Sequence, residues 1–324
     1  MSTIINKFFK YNNPRVSVII PNYNYEKYLE ERIITVLSQS FQDYELIILD
    51  DCSTDNSREI IKTFQCNPHV SKIIYNEENS GSPFPQWERG INASTGEWIW
   101  IAESDDAADE HFLETLINEV NKNKNSVVAY SHSYMIDTQG NKLSKDWDDN
   151  TLDNYSLTYN CNSFIHKKLI WNCCIYNASM VLFKKTTFYS IKNTYKQYST
   201  CGDWAFWLEI CSKGDVIEIC KKLNFFRQHS KRATNNAARK GNDWMEVANI
   251  LNNAIETYNI FGFELRCFRG KWTKDLNESR SPFKNELKIS YPALFNGNYI
   301  DIFCYKLRKT LEKFLSYYDS KCEL

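Results

Sequence analysis

The chain has 324 residues, enough for one large domain or two smaller ones with a sizeable core. Hydrophobic residues make up 43% of it and aromatic residues 15%, with 10 glycines and 7 prolines, which excludes collagen-like, low-complexity and disordered chains. Lysine plus arginine (39) nearly balances aspartate plus glutamate (40), whereas nucleic-acid binders usually carry a basic excess. Composition therefore predicts a globular protein without a nucleic-acid partner.

The eleven cysteines show no CxxC spacing, so the sequence spells out no zinc site. Residues 1–14 lack the apolar run of a signal peptide, which favours reduced cysteines and a cytoplasmic location. No stretch approaches the roughly 18 consecutive apolar residues of a membrane-spanning helix. We therefore expect any membrane contact to be peripheral.

Short apolar runs alternate with amphipathic stretches in the first third of the chain. The runs predict strands at 16–20 (ended by Pro21), 45–49, 70–75 and 98–101. The stretches between them predict helices at 26–38, from 53 to about 64, and ending near 96. This alternation predicts right-handed crossovers and a largely parallel sheet covered on both faces.

Polar residues follow three of these strands at the point where each strand ends. They are Asn22 and Asn24, Asp50 and Asp51, and Asp105 and Asp106. Because parallel sheets bind ligands at the carboxyl ends of their strands, we expect the three strand ends to meet in one crevice.

The rest of the chain is less regular. Its pattern predicts a helix at about 109–121, strands at 127–130 and 177–183, a polar loop at 137–160, and a helix start within 201–208. From about Asn242 onward the pattern is helical with breaks at Pro282 and Pro292, and it ends in a basic amphipathic helix at 299–318. We expect that helix to dock its apolar face on the preceding α/β part of the chain or on a partner chain, with an interfacial membrane helix as the alternative.

The chain contains neither GxGxxG nor GxxxxGK[ST], so no glycine-rich loop for phosphate is indicated. Side chains and a divalent cation could hold a nucleotide instead, because Mg²⁺ or Mn²⁺ takes one or two carboxylates plus phosphate oxygens. Asp105 and Asp106 meet that need. The alternative is a solvated acidic turn that caps the next helix.

Four segments resemble, in order and spacing, the N-terminal signature of the family 2 glycosyltransferases. They are VSVIIPNYN at 16–24, LSQSF at 37–41, LDDCSTD at 49–55 and ESDD at 103–106. The resemblance is continuous over about residues 14–110 and returns in patches to about 235. It implies the α/β, A-type (Rossmann-like) glycosyltransferase fold, with a mostly parallel sheet covered by helices and a helical C-terminal extension.

The resemblance also implies a division of the chain. Residues 1–235 would form the catalytic domain, with a nucleotide-sugar half at about 14–110 and an acceptor half at about 111–235. Residues 236–324 would form the helical C-terminal region.

Several residue roles follow from the resemblance. Pro21, Tyr23 and Asp51 would line the nucleotide-base pocket, although an acid at a helix N-terminus is an alternative interpretation of Asp51. Asp105 would face the ribose or sugar, and Asp106 would bind the Mn²⁺ or Mg²⁺ that bridges the diphosphate. Ser104 and Glu103 depart from the usual motif, which leaves open which acids touch the metal.

Three further positions match the family less closely or carry alternatives. Trp87 stands where the family usually has an arginine, and Arg89 could serve instead as the cation near the leaving group or be an exposed helical arginine. His229 resembles a family histidine that approaches the metal or diphosphate, and a purely structural donor is the alternative.

Asp203 resembles the family's general base, an aspartate at the start of a helix that removes the proton of the acceptor hydroxyl. The acid that commonly precedes it is Gly202 here. An ordinary capping aspartate is the alternative, and the two roles are compatible. Trp171, Trp204 and Trp207 fall in the region expected to face the acceptor, with core packing as the other interpretation.

The sequence thus predicts an inverting glycosyltransferase with a nucleoside diphosphate donor, most simply a UDP-sugar, and a glycan or lipid-linked saccharide acceptor. By resemblance alone, its setting would be bacterial surface polysaccharide synthesis. A non-catalytic nucleotide-sugar or glycan binding module on the same fold is the first alternative. Nucleotidyl transfer ranks third because no basic glycine-rich loop is present to hold a triphosphate.

Overall fold

A computed structural model describes residues 3–6, 13–144, 147, 155–229 and 243–322, with side chains at all of these except 3–6 and 313–322. The strands are β1 (Thr3–Asn6), β2 (Val16–Asn22), β3 (Tyr44–Asp50), β4 (Val70–Tyr75), β5 (Trp98–Ile101), β6 (Ala107–Ala108), β7 (Ser126–Ile136), β8 (Ser156–Tyr159), β9 (Val181–Lys184) and β10 (Asp215–Arg227). The helices are α1 (Glu26–Leu37), α2 (Ser57–Phe64), α3 (Pro83–Ala93), α4 (Phe112–Lys122), α5 (Cys161–Phe164), α6 (Lys185–Phe188), α7 (Gly202–Cys211), α8 (Asp243–Thr257), α9 (Gly262–Glu278), α10 (Lys284–Ser290), α11 (Pro292–Phe295) and α12 (Tyr299–Cys322). A π turn follows α5 at Ile165–Leu169.

Within the described residues the strands form one sheet in the order β1-β4-β3-β2-β5-β9-β7-β10-β6, and β8 also pairs with β10. The strands β4, β3, β2 and β5 are parallel, as the sequence predicted. β9 enters antiparallel between β5 and β7, and β7 is again parallel to β10. The antiparallel β9 thus joins a parallel half to a mixed half.

Both faces of the parallel half are covered. Because side chains alternate along a strand, Val18 and Ile20 pack in one apolar cluster with α1 and α4, whereas Ile19 packs in the other with α3. A Cβ at Gly90 of α3 would lie 2.4 Å from Ile19 Cγ2, so this position requires glycine. The sheet is therefore the central layer that positions the loops at its edge.

Some predicted bounds were wrong. β2 continues through Pro21 to Asn22 because its pairing with β5 stops at Ile19, so the missing proline N–H costs no ladder bond on that side. The strand predicted at 177–183 begins only at Val181, after a 3-10 turn at Ala178–Met180. The predicted loop at 137–160 includes β8, and β10 was not predicted at all.

α12 packs on α9 through a face that the sequence did not predict. Asp301, Cys304 and Tyr305 are buried, whereas the apolar side chains predicted to dock are exposed. These are Ile300, Phe303, Leu307 and Leu311. The side chains of Lys313, Phe314 and Leu315, which belonged to the same prediction, lie outside the described residues. No helix in the described part of the chain is both long and apolar enough to cross a bilayer.

Candidate active site

The loops that follow β2, β3 and β5 meet at one edge of the sheet, as predicted. Ser104 Oγ donates to the Pro21 carbonyl oxygen at 2.6 Å. The Asp51 N–H donates to the Asn22 carbonyl oxygen at 2.8 Å. The three strand ends therefore form one continuous candidate site.

The carboxylate of Asp51 is surrounded by neutral donors, and the residue is only 4% exposed. Its Oδ1 accepts hydrogen bonds from the side-chain amides of Asn76 (2.5 Å) and Gln86 (2.7 Å). Its Oδ2 accepts from Asn79 Nδ2 (3.0 Å) and the Ser80 hydroxyl (2.7 Å), and the Ser80 N–H lies within 3.1 Å of both oxygens. Asp51 is thus held rigidly by partners that sequence reasoning missed.

These donors come from the loop after β4 and from α3. Ser82 caps α3 and Pro83 begins it. Gly81 has a φ of +74°, which residues other than glycine rarely adopt. A turn of asparagine, serine and glycine ahead of a proline is a sequence signal that could have located this loop.

The other predicted base-pocket residues lie on the same side of the site. Pro21 is buried in β2, and Tyr23 follows it with 44% of its surface exposed. The exposed Arg89 donates to Asn76 Oδ1, and Asn76 in turn donates to Asp51. Arg89 also lines a cavity of about 770 Å³ with Asn76 and residues of the same loop. A contact between these residues and a nucleotide stays a prediction.

Asp105 and His229 are paired although 124 positions separate them. The His229 Nε2 atom lies 2.8 Å from Asp105 Oδ2. The imidazole ring packs against Tyr25 and Tyr28, with ring centroids 5.7 and 5.6 Å away. A carboxylate oxygen and an imidazole nitrogen are ligands that Mn²⁺ accepts, and one carboxylate suffices when diphosphate oxygens complete the shell. The residues present therefore fit a divalent cation.

Asp106, which the resemblance implied as the metal ligand, is 1% exposed and already engaged. Its Oδ1 accepts the Arg227 N–H at 2.9 Å. Its Oδ2 accepts from Asn177 Nδ2 and Ser179 Oγ, each at 2.8 Å. This carboxylate joins β10 to the turn before β9, so its geometry is that of a positioning residue.

Glu103 completes a cluster of three carboxylates within four residues. Burial, followed by the charge of Asp105, raises the pKa of Glu103 to about 8, although the Trp87 indole N–H donates to its Oε1 at 2.8 Å. Burial and the charge of Asp105 also raise the pKa of Asp106. The folded protein thus disfavours the charged forms of Glu103 and Asp106.

Two buried guanidinium groups of the described residues lie beside this cluster, and that of Arg227 donates from its Nε to the Asp105 carbonyl oxygen at 2.7 Å. Arg32 of α1 is 0% exposed, and its Nε donates to the Glu103 carbonyl oxygen at 2.8 Å. Burial lowers its pKa to about 10 and the nearby carboxylates oppose that change, so Arg32 is charged at neutral pH. Sequence reasoning missed it because an arginine on an amphipathic helix is normally assigned to the solvent face.

Asp203 lies in the first turn of α7, as predicted, and its Oδ1 accepts the Trp204 N–H at 2.8 Å. Burial and then the charge of Asp203 raise the pKa of the Cys201 thiol. A Cβ at Gly202 would lie 2.5 Å from the Phe84 ring, so the acid that usually precedes the catalytic aspartate has no room here. The departure at 202 is thus a consequence of packing.

Trp87 connects α7 to the carboxylate cluster. Its ring packs against Phe206 and Trp207 of α7, with centroids 5.5 and 6.4 Å away, while its N–H reaches Glu103. Trp207 is fully buried, so core packing is the confirmed interpretation for this residue. Trp87 therefore contacts both the helix that carries Asp203 and the end of the strand that leads to Glu103.

A second buried acidic group lies in the mixed half of the sheet. Glu218 lies with His132 and Cys220 such that their possible ligand atoms are within 4.8 Å of one another. However, Glu218 already contacts Lys168 Nζ and accepts the Tyr159 hydroxyl at 3.1 Å. Burial opposes the charged carboxylate, but His132 and Lys168 outweigh it and lower the pKa of Glu218 to about 2. We interpret this group as an ion-pair network.

The profile of glycosyl transferase family 2 matches residues 17–187, which is more than half of the chain. The glycosyltransferase GlyG of Streptococcus pneumoniae is 36% identical over 126 residues, covering 39% of this chain and 42% of GlyG. The chain thus spans less than half the length of this relative. The Campylobacter jejuni GalNAc(5)-diNAcBac-PP-undecaprenol beta-1,3-glucosyltransferase is 25% identical over 261 residues, covering 78% and 79% of the two chains.

Among solved structures, Staphylococcus aureus TarS (residues 1–349, in complex with UDP-GlcNAc) superposes with a TM-score of 0.65 over 83% of this chain and 74% of TarS. The sequence identity is 16%, so this likeness concerns the fold. It confirms the A-type glycosyltransferase architecture with a helical C-terminal region. The chain belongs to glycosyltransferase family 2.

Proposed function

We propose that this protein is an inverting glycosyltransferase that moves a sugar from a nucleoside diphosphate donor to a hydroxyl of a glycan or lipid-linked acceptor. The observation that carries the proposal is the pairing of Asp105 with His229. This pair lies in the cluster of three carboxylates at the carboxyl ends of the parallel strands. Family membership supports the reaction class, and the UDP-GlcNAc bound by TarS supports a UDP-sugar as the donor.

Within this proposal the metal ligand is Asp105 with His229 rather than Asp106. Both Asp106 oxygens are occupied by donors of this chain, and metal binding there would break hydrogen bonds that hold β10. When bound at Asp105, Mn²⁺ or Mg²⁺ would offset the charge that develops on the departing diphosphate. Pro21 and Tyr23 would receive the nucleotide base, and Asp51, whose oxygens already accept hydrogen bonds from this chain, would hold the loop beside them in place.

Asp203 acts as the general base. It accepts the proton of the acceptor hydroxyl while that oxygen forms a bond to the anomeric carbon. The bond from this carbon to the diphosphate oxygen breaks on the opposite face, and its electron pair leaves with the diphosphate. Opposed bond formation and cleavage inverts the anomeric centre. Trp87 supports this geometry because it anchors α7 to Glu103.

The proposed setting is the synthesis of a bacterial surface polysaccharide at the cytoplasmic face of the membrane. The C. jejuni relative is named for a lipid-linked acceptor, which supports an acceptor of that kind. The exposed apolar stripe of α12, flanked by Lys306, supports peripheral contact with a membrane through residues 299–318. Flotation with anionic vesicles tests this contact, and a Phe303→Ser variant should bind them more weakly.

The reaction is tested by the release of nucleoside diphosphate from a panel of nucleotide sugars with Mn²⁺ or Mg²⁺, with and without EDTA. Asp203→Asn should lower turnover by about 10³-fold and leave donor binding intact. Asp243→Asn is a matched control, because Asp243 also begins a helix and accepts the N–H of the tryptophan that follows it, at 2.9 Å. Donor binding without turnover in the unsubstituted protein, as well as in both variants, would favour the alternative, a nucleotide-sugar binding module.

A further inference from the structure

A second cavity lies away from the carboxylate cluster, between the π turn and the C-terminal helices. Its volume is about 270 Å³. Five of the residues that line it are cationic, and one, Glu312, is acidic. The cations are Lys167, Lys168, Lys271, Arg308 and Lys309. This local excess contrasts with the formal net charge of −1 of the whole chain.

Three of these cations are fixed in place by carboxylates. Lys168 contacts Glu218, Lys271 Nζ lies 2.8 Å from Asp275 Oδ2, and Arg308 Nε lies 2.6 Å from Glu312 Oε1. They are also only partly accessible, with side-chain exposures of 30%, 7% and 17%. Cations held this way keep little conformational freedom to lose when an anion binds.

Aromatic rings fix the same groups from the other side. The Arg308 guanidinium lies 3.5 Å from the Trp171 ring centroid, and Trp171 stacks on Tyr305 with an interplanar angle of 6°. Lys271 Nζ lies 3.4 Å from the Trp272 ring centroid. Arg308 and Lys271 are therefore oriented donors within the cavity.

The other two cations leave the charge of the cavity unbalanced. Lys167 and Lys309 are exposed, and no carboxylate of the described residues forms an ion pair with either. Burial lowers the pKa of Lys271, and the charge of Lys309 adds to that effect against the opposing Asp275. An anion in the cavity would relieve this crowding of positive charge.

Two elements that contribute residues to the cavity, the π turn and α9, contact Trp204, the residue that follows the proposed general base. The Trp204 indole N–H donates to the Leu169 carbonyl oxygen at 2.8 Å, in the wall formed by the π turn. The Trp204 ring also packs on Trp272 of α9 with centroids 5.9 Å apart. A group bound in the cavity would therefore be held at a fixed position relative to Asp203.

We propose that this cavity binds a phosphate or diphosphate group carried by the acceptor and thereby presents the acceptor hydroxyl to Asp203. The inference rests on the proposed glycosyltransferase function. Forked guanidinium and ammonium donors suit phosphate oxygens, and the cavity volume suits one such group rather than a nucleic-acid strand. Such a site would select acceptors by their charge, in a place separate from the donor diphosphate at Asp105.

The test measures binding of inorganic pyrophosphate by calorimetry to the full chain without metal. A Lys167→Gln, Lys309→Gln double variant should bind it at least about tenfold more weakly than the unsubstituted protein. Lys306→Gln is the matched control, because this exposed lysine lies on the same helix and does not line the cavity. An equal loss in the control, no loss in the double variant, or no pyrophosphate binding at all would overturn the proposal.

Two more measurements are needed. One distinguishes a soluble from a lipid-borne phosphate group, and the other distinguishes failure of the acceptor site from failure of the proposed glycosyltransferase function. Binding of glycerol phosphate, a soluble phosphate, is compared with binding of vesicles that contain phosphatidic acid, a lipid-borne phosphate. If binding of one of them requires Lys167 and Lys309, the result supports the site and identifies the source of the phosphate group. Binding of UDP with Mn²⁺ should be unchanged in the double variant, and a loss would overturn the assignment to the acceptor. Absence of UDP binding in the unsubstituted protein would instead count against the proposed function.

Discussion

Two carboxylate groups at the same edge of the sheet are built in opposite ways. Asp51 accepts hydrogen bonds from four neutral residues of the loop after β4 and of α3, and each of its oxygens is occupied. In the cluster, Glu103, Asp105 and Asp106 instead lie within four residues, beside the buried guanidinium groups of Arg32 and Arg227. The Asp51 carboxylate is fully hydrogen-bonded by neutral groups, whereas burial and the charge of Asp105 raise the pKa of both Glu103 and Asp106.

This difference separates two roles that an acidic residue can have in a binding site. Neutral donors fix the Asp51 carboxylate without cancelling its charge, so it holds its loop in a preformed shape. Burial, followed by the charge of Asp105, raises the pKa of Glu103 to about 8, so the folded protein disfavours the charged form of this carboxyl. We therefore expect substitutions at Asp51 to lower stability first, and substitutions of the accessible acid in the cluster, Asp105, to lower activity first.

The largest effect is expected at Asp105. Asp105→Asn removes the carboxylate beside His229 and should lower metal-dependent turnover by about 10³-fold, because a metal that stabilises the leaving group contributes several kcal/mol. The melting temperature should change little. Mn²⁺ titration of turnover, together with thermal unfolding, measures both quantities.

Asp106→Asn is the same substitution at the neighbouring aspartate, and it should affect stability and not the metal response. Its amide would place a donor against the donors of Arg227, Asn177 or Ser179, so we expect a loss of about 2 kcal/mol in the free energy of unfolding. Its metal response should remain. The reverse result, in which Asp106→Asn abolishes the metal response of a stable protein and Asp105→Asn does not, would return the metal to Asp106.

Glu218 extends the comparison to a buried acid balanced by cations. Glu218→Gln leaves Lys168 and His132 without their carboxylate and should lower the free energy of unfolding by about 3 kcal/mol at neutral pH. The pKa of Glu218 in the folded protein, about 2, lies below its ordinary value of 4.5. Its stabilisation is therefore present above pH 4.5 and is lost as the pH falls toward 2.

Urea unfolding at several pH values checks this expectation. The difference between Glu218→Gln and the unsubstituted protein should narrow below pH 4.5. Glu59→Gln is the control, because Glu59 pairs with Lys62 at 2.6 Å in an exposed i, i+3 pair and should contribute little at any pH. A difference that is constant with pH would mean that Glu218 acts by packing and not by charge.

At Asp51 we expect a smaller loss. Asp51→Asn keeps the size of the side chain but turns one acceptor into a donor that faces other donors, which should cost about 2 kcal/mol or less. Asp137→Asn is the matched control, since the carboxylate of Asp137 also accepts only neutral donors, from Gln139 and Asn141, but in a surface turn. Equal losses at the two positions would show that burial of the Asp51 network adds nothing.

The two halves of the sheet also differ in how far the sequence predicts them. The strands at 70–75 and 98–101 were predicted with the bounds that the structure has, because 98–101 consists of alternating tryptophan and isoleucine, and 70–75 begins with Val70 and ends with Ile73, Ile74 and Tyr75. β10 was missed because buried polar residues interrupt its apolar pattern, Glu218 and Asn224 among them. Such residues are buried only because partners from distant segments satisfy them, and no local pattern encodes those partners.

The site shows the same limit. Asp51 and Asp105 were candidates because they follow predicted strands, and the resemblance added their roles together with Asp203 and His229; neither source supplies contacts. The occupancy of both Asp106 oxygens depends on Asn177, Ser179 and the backbone of Arg227, at 71 to 121 positions along the chain. Only the folded arrangement shows that both oxygens of Asp106 already accept hydrogen bonds.

The smallest effect is expected at Trp87, the neutral donor within the crowded cluster. Trp87→Phe removes the N–H that donates to Glu103 but keeps an aromatic ring against α7, so kcat/KM should fall by about fivefold to tenfold. Trp207→Phe isolates the hydrogen bond from the change in ring size, because Trp207 lies in the same aromatic group and its buried Nε1 has no hydrogen-bond partner among the described residues. A larger fall for Trp87→Phe than for Trp207→Phe would assign the difference to Glu103. Equal falls would mean that Trp87 acts through packing alone, and that the acid cluster depends on Arg32, Arg227 and a bound cation for its balance.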